Sequence, residues 1–164
     1  MAELPAGYPN EALPALEVLK SHEVLSVEDL KVLAMIETWG EVFYQVLSRA
    51  VPDETSRDLL LRNGAEERGH AHRLLKAIKL KGGSFELPPN EENPFNPFAL
   101  DNLPANSELL GMIQQAEIDG DTMYQTWADA EPNEEVAQLL RLNGREETRH
   151  FERVSEVKRL NGIA

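Results

Sequence analysis

The sequence predicts an all-α protein, an antiparallel four-helix bundle made from two copies of one helix hairpin. Three observations predict it. Apolar residues recur at three- and four-residue intervals in four long stretches, the period of a helix with one buried face. The second half repeats the first without an insertion: residues 37–82 align with 117–162 at a constant offset of 80, with 17 identities in 46 positions, where unrelated sequences share only a few. Between the halves lies a proline-rich, aperiodic segment, and a connection of that length inside a compact domain needs a reason.

A chain of 164 residues suits one domain, and 41% hydrophobic with 27% charged residues fits a globular protein. No stretch approaches the ~18 consecutive apolar residues of a membrane span. Met1 to Pro14 holds no basic region followed by an apolar one, so a cytoplasmic location is the default expectation. The chain has no cysteine, which excludes a disulfide, a thiolate zinc site, an iron–sulfur cluster and a cysteine nucleophile. A net charge of −13, from 29 acidic against 16 basic residues, repels phosphate backbones and anionic lipid, so neither nucleic acid nor membrane is an expected partner.

Residues 1–25 carry the breakers Pro5, Gly7, Pro9 and Pro14 around an apolar patch at Leu13, Leu16, Val18 and Leu19, and read as an arm that packs onto something. The bundle should occupy 26–162. Ser26 and Asp29 have capping-box spacing and open a helix over about 26–50, with Leu30, Leu33, Glu37, Gly40, Tyr44 and Leu47 on one face. After Pro52, Asp53 is the expected cap of a second helix, about 53–81, whose stripe is Leu60, Asn63, Glu67, His70, Leu74 and Ala77; Gly82-Gly83 ends it.

A crossover over 83–106, with Pro88, Pro89, Pro94, Pro97 and Pro104, leads to a third helix, about 107–131, capped by Ser107. Its stripe is Leu110, Ile113, Glu117, Gly120, Tyr124 and Trp127. After Pro132 and Asn133 the fourth helix, about 133–161, carries Leu140, Asn143, Glu147, His150, Val154 and Val157. If a two-fold axis relates the hairpins, the third helix runs parallel to the second. The crossover must then travel the length of a helix of ~25 residues at ~1.5 Å rise, which its reach exceeds. Glu37 lies 15 residues before Pro52 and Glu67 lies 15 after it, so the turn brings them level at mid-bundle, and the offset of 80 does the same for Glu117 and Glu147.

A lone buried glutamate is more often paired with Lys or Arg, and a lone core histidine is more often just hydrogen-bonded. Here four glutamates and two histidines share one core, and the four stripes hold no Lys or Arg beside them. Burying unpaired carboxylates costs several kcal/mol each. Two divalent cations would balance the four negative charges, and each Glu-x-x-His pair faces one way on its helix. The candidate ligands are therefore Glu37, Glu67, His70, Glu117, Glu147 and His150. Carboxylate and imidazole suit iron or manganese, and the lack of thiolate argues against structural zinc. Gly40 and Gly120, on the core stripe, leave room for metal or oxidant, or else for close helix contact.

The pattern Glu37…Tyr44, Glu67…His70, Glu117…Tyr124, Glu147…His150 resembles the rubrerythrin branch of the ferritin-like di-iron proteins, over about residues 26–162. The resemblance implies a ferritin-like bundle with two iron ions, manganese or zinc being possible substitutes. It implies Glu67 and Glu147 as bridging ligands, and Tyr44 and Tyr124 as hydrogen-bond partners of the ligands; a core tyrosine with a satisfied hydroxyl is the competing reading. The implied activity is reduction of hydrogen peroxide or dioxygen, with a ferroxidase or iron-buffering protein as the alternative. Many rubrerythrins carry a rubredoxin domain with four cysteines. With none here, the resemblance implies a separate electron donor such as a rubredoxin-like protein. Typical members also have a further glutamate where this chain has Gln114, which bears on efficient peroxidase action.

Four more residues recur. Glu41 and Asp121 are candidates to accept from the free nitrogens of His70 and His150 or to act as extra ligands, against a solvated flank; Asn63 and Asn143 are candidates to orient the bridging carboxylates. His22 and His72 read as surface residues. The first bundle helix has a second apolar stripe, Val32, Met35, Trp39, Val42, Phe43 and Val46, which the third lacks. Either the N-terminal arm or a second copy of the chain covers it, and a homodimer is the expectation.

Overall fold

A computed structural model describes residues 2–95 and 102–164. Met1 of the arm, and Pro97 with the rest of crossover residues 96–101, lie outside the described residues. The described residues form five α-helices in order: α1 (Ala12–Lys20), α2 (Val27–Ser48), α3 (Glu54–Leu80), α4 (Ser107–Ala130) and α5 (Glu134–Leu160). A 3-10 turn, Asn90–Glu92, lies in the described part of the crossover. Among the described residues there is no strand, and no helix is long and apolar enough to cross a membrane.

Side-chain caps start the four long helices. Ser26 accepts from the Asp29 amide at 3.1 Å while Asp29 accepts from the Ser26 amide at 2.8 Å, a closed capping box for α2. Asp53 caps α3 through the Ser56 amide at 2.7 Å, and Asn133 caps α5 through the amides of Glu135 and Val136. The cap of α4 is Asn106, not Ser107. The Asn106 amide oxygen accepts from the Leu109 amide at 2.9 Å, and Ser107, already helical, donates its hydroxyl to the carbonyl of Ala164. Helices α3 and α5 end alike, on glycines at positive φ: Gly82 at 81° and Gly162 at 61°.

Contacts along the helices fix their directions. Gly40 sits beside Glu67, and Gly64 beside Glu41 and Tyr44, so α2 and α3 are antiparallel; Gly120 beside Glu147 and Gly144 beside Tyr124 repeat this in α4 and α5. The Asn63 amide donates to the His150 carbonyl at 3.2 Å and the Asn143 amide to the His70 carbonyl at 3.3 Å, which sets α3 antiparallel to α5. It follows that α4 runs parallel to α3, and the crossover spans the bundle.

The apolar core lies in two clusters. One holds Leu30, Leu33, Leu74, Ile78, Trp127 and Leu140; the other holds Tyr44, Leu47, Leu60, Leu110, Val154 and Val157. Each fully buried Leu or Val stabilises the fold by ~1.5–3 kcal/mol. The N-terminal arm is more regular than its breakers suggest, because Pro14 falls in the first turn of α1, where a proline has no amide to lose. Ala12, Ala15 and Leu19 of α1 pack in one cluster with Val32 and Met35 of α2, whereas Leu13 of the expected patch is 62% exposed. Phe95 joins them, and the Asn93 amide donates to the Met35 carbonyl at 2.9 Å. Arm and crossover thus cover one end of the second α2 stripe, and Trp39 and Phe43 stay partly exposed.

Candidate metal centre

Glu37 on α2, Glu67 and His70 on α3, Glu117 on α4, and Glu147 and His150 on α5 are all buried. Their donor atoms form two sets, each within 4.8 Å: Glu37, Glu67, His70 and Glu147, and Glu67, Glu117, Glu147 and His150. Glu67 and Glu147 belong to both. Nδ1 of His70 faces Glu67 Oε2 at 3.3 Å, Glu147 Oε1 at 3.5 Å and Glu37 Oε2 at 3.7 Å. Nδ1 of His150 faces Glu147 Oε2 at 3.2 Å, Glu67 Oε1 at 3.4 Å and Glu117 Oε2 at 3.6 Å. Each shared carboxylate therefore offers one oxygen to each set, the geometry of a bridge.

Both Nδ1 atoms are buried without a hydrogen-bond partner. A buried polar atom left unpaired costs ~1–3 kcal/mol. The opposite edge of each ring explains the state of the nitrogen. Nε2 of His70 lies 3.0 Å from Glu146 Oε2, and Nε2 of His150 lies 3.1 Å from Glu66 Oε2. A carboxylate there holds the ring proton at Nε2, so that in the neutral ring the Nδ1 lone pair is directed at the cluster. The donor set, its charge and the two orphaned lone pairs fit two cations.

The supports of this arrangement recur in both halves. Arg73 grips Glu146 through two hydrogen bonds of 2.7 and 2.9 Å, and Arg153 grips Glu66 at 2.7 and 3.0 Å. The same arginines reach Asn143 and Asn63. Tyr44 donates its hydroxyl to Glu117 Oε1, and Tyr124 donates to Glu37 Oε1, so each tyrosine restrains a ligand of the other hairpin. A Cβ on Gly40 would lie 3.3 Å from Glu67 Cδ, and one on Gly120 would lie 3.4 Å from Glu147 Cδ. These glycines leave room for the shared carboxylates.

Two sequence expectations are corrected. Glu41 and Asp121 do not accept from the histidines: Glu41 pairs with Arg68 at 2.7 Å, and Asp121 accepts from Thr148 at 2.6 Å. The acceptors are Glu66 and Glu146, one residue before the shared glutamates. Asn63 and Asn143 bind the backbone of the facing helix instead of orienting the carboxylates. The signal for Glu66 and Glu146 was present, as Glu-Glu-x-x-His-x-x-Arg in both halves, but each stands beside the apolar stripe and reads as solvated. Gln114 donates to Ser155 at 2.7 Å and accepts from Lys158 at 3.2 Å, and is in neither donor set.

Electrostatics of the site follow from four carboxylates in one buried space. Burial, reinforced by the charge of Glu67, raises Glu37 to about 7 and holds Glu147 well above the usual carboxylate range. Burial opposes charge on His70 and His150, but the facing carboxylates, Glu147 and Glu67 foremost, outweigh it and raise both imidazoles. Outside the cluster, burial works against ionisation of Glu66, yet His150 and Arg153 override it and lower the carboxyl to about 2. Protons thus do part of the neutralising that divalent cations would do.

Two carboxylate-rich half-sites with two glutamates common to both, in the core of a four-helix bundle, define the ferritin-like di-iron class. The rubrerythrin family model matches residues 30–158, and the chain belongs to that family. No curated protein and no solved structure matches it.

Proposed function

We infer that the protein is a di-iron oxidoreductase that reduces hydrogen peroxide, or dioxygen, with electrons from a separate donor protein. The observation that carries the reading is the pair of unpartnered imidazole nitrogens, each aimed at three carboxylate oxygens in a buried site. Iron bound there supplies two one-electron steps, matching the two electrons that turn peroxide and two protons into two waters. Glu37 and His70 would hold one ion, Glu117 and His150 the other, with Glu67 and Glu147 spanning both; the same donors suit manganese. Glu66 and Glu146 hold the imidazoles in their tautomer. Tyr44 and Tyr124 keep a proton beside the terminal carboxylates, and the apolar clusters exclude bulk water.

The chain has no cysteine for a thiolate iron of its own, which supports an external donor such as a rubredoxin-like protein. A homodimer belongs to the same reading, through the partly exposed Trp39 and Phe43; a monomer in sedimentation at micromolar concentration would remove it. Gln114 favours a second reading, a ferroxidase or iron-buffering protein. Its neutral amide, held by Ser155 and Lys158, offers no further charged ligand one turn before Glu117. Stopped-flow reoxidation of the reduced, iron-loaded protein separates the two: the peroxidase reading requires peroxide to act faster than air, and equal rates support the second.

A further inference from the structure

The two halves agree at the tyrosines and differ one turn beyond them. Trp127 stands where the first half has Leu47. The Tyr124 ring lies 6.3 Å from the His70 ring, centre to centre, and 5.7 Å from Trp127, edge to face. Trp127 in turn lines a surface groove with Lys20, His22, Met123 and Thr126, where the arm meets α4, and its indole N–H donates to the His22 carbonyl at 3.2 Å. On the other side, Tyr44 reaches Trp39 only through Phe43, at 6.2 and then 5.4 Å. A phenylalanine ring is far harder to oxidise than phenol or indole. One unbroken series of oxidisable rings therefore joins the centre to the floor of this groove, where Trp127 is 3% exposed, and among the described residues it exists in one half only.

We propose that Tyr124 and Trp127 form a one-sided relay that carries an oxidising equivalent from the metal centre to this groove. The proposal rests on the peroxide reading above. Hydrogen peroxide takes two electrons and two protons to give two waters. When only one electron is available at the site, Tyr124 gives the second, and its phenolic proton passes to Glu37 Oε1, the oxygen it already faces. Trp127 then reduces the tyrosyl radical, which takes its proton back from Glu37, and the indole is left as a cation radical with its N–H still on the His22 carbonyl. A one-electron reductant in solution restores Trp127 there with one electron. Oxidising power thus leaves the ligands by a defined route, away from Glu37 and His70.

The test uses the absence of cysteine. Thr126→Cys, exposed beside Trp127, is labelled with a ruthenium photo-oxidant, and flash oxidation is followed in the metal-free protein by transient absorbance and by electron paramagnetic resonance. Coupling between the two rings serves transfer in either direction, so an oxidising equivalent injected at Trp127 should be shared between a tryptophan radical and a tyrosyl radical at Tyr124. Tyr124→Phe should stop the transfer at tryptophan, Trp127→Leu should abolish the tyrosyl signal, and Tyr44→Phe, whatever it does to metal binding, should leave the flash-generated radicals as they are. Trp127→Leu copies the residue of the other half, and Trp127→Phe is the second variant if folding fails. A tyrosyl signal that survives loss of Trp127, or one lost with Tyr44, overturns the relay, as does no transfer at all. Rapid-freeze trapping of the iron-loaded protein, reduced by one electron per site and mixed with peroxide, is the second arm. If flash transfer succeeds and peroxide is consumed without a radical, the relay is overturned; if peroxide is not consumed at all, the peroxide reading fails while the path between the two rings stands.

Discussion

Nε2 of His150 on α5 lies 3.1 Å from Oε2 of Glu66 on α3, and the same pairing joins His70 to Glu146 in the opposite sense. Each hairpin therefore orients the histidine of the other, and neither hairpin holds a finished half-site alone. Glu66→Gln, which can no longer fix the Nε2–H tautomer as a charged acceptor, should weaken metal binding ~10–100-fold while leaving helix content unchanged. Competition titration against a chelator of known affinity checks it; an unaltered affinity would show that the ring needs no such partner.

The raised carboxyls set the pH dependence of the metal-free protein. Glu37 is raised to about 7 from 4.5, so the folded state holds its proton more tightly than the unfolded chain. Its contribution is fully present below pH 4.5 and is lost as pH rises through about 7. His70 and His150 act in the same direction, also raised. The melting temperature without metal should therefore fall as pH rises through about 7. Bound cations replace those protons, so affinity should rise and protons should be released over the same interval, measurable by calorimetry in buffers of different ionisation enthalpy.

Gly40→Ala separates the fold from the site. Alanine in a helix interior is favoured over glycine by ~1 kcal/mol, so the metal-free protein gains from the change up to that amount. The new methyl would sit 3.3 Å from Glu67 Cδ and push the shared carboxylate aside. Denaturant melts should show unchanged or higher stability, and metal titration should show weaker binding of both ions. Stability and affinity falling together would mean that the glycine serves helix packing alone.

Leu19 and Leu13 test whether the arm is part of the bundle. Leu19 is fully buried against α2, and Leu19→Ala should cost ~2–5 kcal/mol. Leu13 is 62% exposed, and Leu13→Ala should stay within about 0.5 kcal/mol. Chemical denaturation of the two variants gives both values.

Much of this structure was legible because the sequence states it twice. The offset of 80 gave six converging residues from two, and Ser26, Asp53 and Pro52 marked helix boundaries through local chemistry. What stayed hidden depends on contacts between distant segments. Glu66 looks like a surface residue until α5 brings His150 against it, and Asn63 points at a backbone no periodicity reveals. The helix in the arm was masked by its prolines, and the cap of α4 moved by one residue because Asn106 competes with Ser107 for the same amide groups.

Metal content tests the central claim, that Glu67 and Glu147 are shared by two ions. Elemental analysis of the reconstituted protein should give two iron ions per chain, and Glu67→Ala should lose both together while circular dichroism shows an intact helical fold. One ion per chain, or one ion retained by Glu67→Ala, would contradict it.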